Sequence, residues 1–100
     1  MKTLSSINPY IDAVTFLFSN HSKLQSYLTE EFINIYEGII EEDKLRRLAK
    51  SWSRSEKFVL NLALHLYSGQ GKIDLNDIDY LDSENKRLVM EALKIRLKGI

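Results

Sequence analysis

One hundred residues, 44% hydrophobic and 28% charged with one proline and four glycines, describe a single folded domain, 1–100, rather than a disordered chain. The absence of cysteine excludes a disulfide scaffold, a thiolate zinc site and a cysteine nucleophile. Fourteen basic and fourteen acidic residues cancel, but the balance hides blocks: 1–43 and 73–85 are acidic, and 44–72 and 86–100 are basic.

The beginning of the chain, MKTLSSINPYIDAVTFLF, is interrupted by Asp12 and makes a poor secretory signal. No stretch approaches the roughly eighteen apolar residues that span a bilayer. The expectation is a cytoplasmic protein with no membrane partner, in which the triplet Asn20-His21-Ser22 is not a glycosylation site. Residue types with AT-rich codons dominate, which suggests a low-GC bacterial or phage genome.

Asn8-Pro9 predicts a helix start, the asparagine capping and the proline occupying a position where its missing amide is not needed. Tyr10, Ile11, Val14, Leu17 and Phe18 recur at helical spacing to about Asn20. From Ser22 a second apolar stripe, Leu24, Leu28, Phe32, Ile35 and Ile39, predicts one long helix to about Glu42, with a break near Thr29 as the alternative. Leu45, Leu48, Ala49 and Trp52 then form a short amphipathic segment, with Asp43 as its expected cap.

The segment SRSEKFVLNLALHLYSGQG predicts the central helix. Ser53 and Glu56 have the spacing of a capping box, and Gly69 supplies the left-handed stop. Between them only Arg54, Lys57, Asn61, His65 and Ser68 make a polar seam, so this helix needs neighbours on several sides. Asp74 is expected to cap a helical turn that buries Leu75, Ile78 and Leu81. Asp82 or Ser83 opens the last helix, in which Leu88, Val89, Ala92, Leu93 and Leu97 face inward and Arg87, Glu91, Lys94 and Lys98 outward. No convincing strand alternation is present. The expected fold is all-α, a compact single-domain bundle of five or six helices around a buried central helix at about 54–68.

Several chemistries fail on spacing. Ser68-Gly69-Gln70-Gly71-Lys72 lacks the earlier glycine and the following hydroxyl of a phosphate-binding loop, whose places hold Leu66 and Ile73. On a calcium loop the same stretch would put Leu66, Ser68 and Gln70 where carboxylates belong. His21 and His65 have no second histidine one turn away, and no nucleophile motif accompanies His65. The carboxylates Glu30, Glu31, Glu37, Glu41, Glu42 and Asp43 read as a solvated acidic run. No cofactor, metal or catalytic residue is therefore expected.

The strongest surface feature is the basic cluster Arg46, Arg47, Lys50, Arg54 and Lys57 around Trp52. A helix-turn-helix reading of it would use the buried central helix for recognition, while the later helix pair leads with Asp82 and Glu84, which repel phosphate. Surplus apolar side chains, with Tyr27, Tyr36 and Trp52 foremost, suggest a partner surface or a homodimer. The functional expectation is a non-enzymatic regulatory module that binds a partner protein through this cluster. The alternative is nucleic-acid binding through 44–57, and an enzyme of another type ranks third.

Overall fold

In the computed structural model, which describes residues 8–97, the chain enters helix α1 (Pro9–Asn20) where Asn8-Pro9 requires. Asn8 Oδ1 accepts the amides of Tyr10 and Ile11 at 3.1 and 3.3 Å. Helix α2 (Glu42–Leu48) runs on into a 3-10 turn, Ala49–Ser51. Helix α3 (Arg54–Ser68) carries the complete capping box: Ser53 Oγ accepts the Glu56 amide and Glu56 Oε1 accepts the Ser53 amide, at 3.2 and 2.9 Å. It ends at Gly69, φ +77°, whose amide bonds the His65 carbonyl. After a 3-10 turn, Leu75–Tyr80, capped by Asp74 at 2.9 Å, helix α4 (Ser83–Leu97) opens with Asp82 Oδ1 accepting the Asn85 amide at 2.8 Å.

The fold is all-α, as the sequence predicts. Helix α1 packs chiefly on α3 and α4. Its beginning meets their ends, where the Arg96 guanidinium stacks 3.8 Å from the Tyr10 ring. Its end lies near their beginnings, where Glu56 and Asp82 act on His21. It is therefore antiparallel to both. Arg96 Nε also donates to the Leu66 carbonyl at 2.9 Å, satisfying a carbonyl of the last turn of α3 from a neighbouring helix. Val14, Leu17, Phe18, Val59, Leu60, Leu64, Leu88 and Val89 are essentially inaccessible and form the centre of the core. No helix among the described residues is long and apolar enough to cross a membrane.

The long helix expected over 22–42 is not formed. The chain instead makes a 3-10 turn at Leu24–Tyr27 and then a short antiparallel hairpin, β1 (Ile33–Asn34) with β2 (Ile39–Ile40), pairing Ile33 with Ile40. Two local preferences and one tertiary contact outweigh the helical stripe. The His21 ring accepts the amides of Lys23 and Leu24 at 3.2 and 3.4 Å and starts a separate turn. Asn34 Oδ1 accepts the Glu37 amide at 3.0 Å, and Gly38 takes φ +67°, so the loop closes as glycine and asparagine chemistry favours. Finally, the Tyr67 hydroxyl on α3 donates to the Gly38 carbonyl and anchors the hairpin. The alternation of the hairpin puts buried Ile33 and its half-buried partner Ile40 on one face and exposed Ile39 on the other, while Ile35, in the turn after β1, is exposed.

Smaller departures follow the same rule that packing decides the ends of elements. Helix α2 starts after Glu41, and Asp43 lies inside its first turn beside the positive end of the dipole instead of capping it. Leu48, Leu75 and Leu97, expected inside, are 42, 65 and 54% exposed. Lys98 and the first seven residues of the chain lie outside the described residues.

Candidate binding groove

Four of the predicted basic side chains come together because α2, the Ala49–Ser51 turn and α3 are consecutive and turn back on one another through Trp52. Arg46, Lys50 and Lys57, with Ala49 and Asn61, line a concavity of about 200 Å³. Lys57 and Asn61 also line the adjoining concavity of about 300 Å³, which adds Arg54, Lys72 and the acidic rim Asp74 and Asp77. The two form one groove along the polar seam of α3. The seam thus faces outward, as its sequence spacing implies.

The cations of the groove divide into held and unpaired ones. Arg46 pairs with Glu42 at 3.6 Å, and Glu42 Oε1 also lies 3.2 Å from Ser68 Oγ, which ties α2 to the end of α3. The Arg46 guanidinium lies against Gly71, φ +77°, where an added Cβ would stand 3.3 Å from Nη2. Arg54 pairs with Asp77 at 3.2 Å and stacks 3.8 Å from the Tyr80 ring. By contrast, Lys50, Lys57 and Lys72 form no ion pair among the described residues. Held arginines give the groove fixed walls, and the lysines give it unspent charge.

Arg47 is exposed but lines neither concavity. Trp52 is buried, 8% exposed, with its ring 5.3 Å from that of Tyr27, which in turn meets Phe32 edge-on at 5.3 Å. It supports the floor of the turn rather than presenting a contact surface. Tyr27 is half-buried, whereas Tyr36 at the hairpin tip is 96% exposed. Lys72 is the member that sequence reasoning left out. The stop at Gly69 and the left-handed Gly71 return the chain to α3 and deliver Lys72 to the groove, so the signal lay in the two glycines.

His65 faces a different concavity, of about 290 Å³, with Tyr10, Ser68 and Arg96. Its Nδ1 lies 3.2 Å from the Gln70 carbonyl, to which only a protonated nitrogen can donate. The Ser68 hydroxyl there is 3.0 Å from the Leu64 carbonyl, within its own helix, so histidine and serine serve the helix end separately. Among the described residues no three His, Asp or Glu side chains are grouped to hold a metal ion. No protein-family model matches the chain, and comparison with curated proteins and with solved structures finds no match.

Proposed function

We propose that this chain is a non-enzymatic interaction module whose groove along α3 binds an acidic segment of a partner protein. The observation that carries the reading is the set of three lysines without an ion pair among the described residues, Lys50, Lys57 and Lys72, converging on one concave surface whose arginine walls are held by Glu42 and Asp77. A peptide with spaced carboxylates meets the lysines while its amides and other side chains meet Asn61 and the acidic rim. Asp74 and Asp77 on that rim favour such a segment over a continuous phosphate backbone, which they repel. The rim also sets polarity, since an acidic ligand is drawn towards the Lys50 end and away from Asp77.

The test compares the wild-type chain with Lys50→Glu/Lys57→Glu, using a fluorescent peptide of spaced glutamates and a single-stranded oligonucleotide of matched length. Peptide affinity is expected to fall as salt rises, and to drop at least about tenfold in the double variant, because each replacement turns an attraction into a repulsion. Lys86→Glu, at an exposed position of α4, serves as the control and is expected to leave affinity unchanged. Tighter binding of the oligonucleotide would replace this reading with nucleic-acid recognition. Equal peptide binding by wild type and double variant would remove the groove as the site.

A further inference from the structure

The only buried polar or charged side chain of the described residues is His21, which is 4% exposed. It stands where three helices meet: it closes α1, its amide bonding the Leu17 carbonyl at 2.9 Å, and it neighbours the first turns of α3 and α4. Its Nδ1 accepts the amides of Lys23 and Leu24 at 3.2 and 3.4 Å. An imidazole nitrogen accepts only when it carries no proton, so this ring is the neutral form with its proton on Nε2. The segment that it starts is a lid over Trp52: the Tyr27 ring lies 5.3 Å from the indole, and Lys23 Nζ lies 5.4 Å above it.

We propose that His21 is an acid-sensitive latch, whose protonation ejects the Lys23 and Leu24 amides from Nδ1, releases the 22–28 segment and uncovers Trp52. The step is a proton binding from solvent at Nδ1. The imidazolium then has two donors and no acceptor, so it faces two amide donors across hydrogen-bond distance and the closed arrangement cannot persist.

The charged groups around the ring set the range. Glu56 faces it from α3 and Asp82 from the start of α4, and Lys23 adjoins it on its own segment. Both carboxylates favour the imidazolium, but both are engaged as helix caps, Glu56 to the Ser53 amide and Asp82 to the Asn85 amide. Burial is the largest influence and holds His21 below its ordinary value of 6.5. The sign follows. In the released segment the histidine titrates near its ordinary value, so the open form binds the proton more readily than the closed form. The latch is at full strength above 6.5 and weakens as pH falls through the lower value of the closed form. Trp52 adjoins the turn that carries Lys50, so the lid and the groove share a support.

The experiment follows Trp52, the only tryptophan, by fluorescence from pH 7.5 to 4.5, with far-ultraviolet circular dichroism in parallel. The expected result is a red shift with a midpoint below 6.5 while helical signal from α1, α3 and α4 persists. His21→Asn keeps a side-chain acceptor for the two amides without a titrating group, and is expected to abolish the shift; His65→Gln is expected to leave it in place. Should His21→Asn not fold, amide exchange in the wild-type chain decides. Protection at Lys23 and Leu24 is expected to fall by up to about tenfold per pH unit relative to α3 amides, once the intrinsic pH dependence of exchange is removed. A flat fluorescence profile, a shift retained in His21→Asn, or loss of fluorescence and helix signals in one step would overturn the latch.

Discussion

Leu64→Asp is expected to leave the chain unfolded at 25 °C, with no cooperative thermal transition by circular dichroism. Leu64 is fully buried at the centre of α3, among core residues drawn from α1 and α4. The replacement removes a buried aliphatic side chain, a change that by itself costs about 2–5 kcal/mol when made to alanine. It also places a carboxylate where no cation is at hand, which adds several kcal/mol or forces the group to take up a proton. A domain of this size holds only about 5–15 kcal/mol in reserve. Leu66→Asp is expected to be milder, because Leu66 keeps 9% of its surface at the end of the helix. A cooperative transition in Leu64→Asp near that of the wild type would mean that α3 is not the element on which the bundle rests.

Trp52→Ala is expected to cost about 3–5 kcal/mol, read from the urea midpoint by circular dichroism. The indole is buried beneath Tyr27 and Lys23 and belongs to the same core cluster as Phe32 and Leu45. Its removal takes a wall from three elements at once: the 24–27 turn, the base of the hairpin and the junction between α2 and α3. A loss under about 1 kcal/mol, the size expected at an exposed site, would show that Trp52 serves contacts outside the fold.

The parts of the fold that the sequence made legible are those governed by nearest neighbours. The caps of Asn8, Ser53, Asp74 and Asp82, and the stop at Gly69, each act within a few residues, and all stand where the residue types require. The stretch 22–42 reads as helix because Leu24, Leu28, Phe32, Ile35 and Ile39 satisfy helical spacing and no convincing strand alternation opposes it. What stops the helix is the ring of His21, buried at a helix junction, and the Tyr67 hydroxyl on α3, 29 residues from Gly38 in sequence. Neither contact leaves a periodic trace. The basic cluster was legible as charge but not as shape: which arginines are held by Glu42 and Asp77, and that Lys72 joins them while Arg47 does not, depends on how α2 and the 69–74 loop flank α3.

The alternating charge blocks acquire a structural meaning on the same grounds. Basic 44–72 meets acidic 73–85 through Arg54 and Asp77, and meets the acidic residues before it through Arg46 and Glu42. These solvent-accessible pairs contribute only about 0–1 kcal/mol each, so their effect is to orient the arginines rather than to stabilise the bundle. Within the groove, Lys50, Lys57 and Lys72 remain without an ion pair among the described residues.

The most direct measurement is a nitrogen-15 spectrum of the labelled chain titrated with the spaced-glutamate peptide at low salt. The proposed groove predicts that shifts concentrate on the amides of Arg46, Lys50, Lys57, Asn61 and Lys72, saturate with one peptide per chain and disappear as salt is raised. Shifts centred on the hairpin around Tyr36 or on α4, with these five unmoved, would contradict it and move the binding surface to another face.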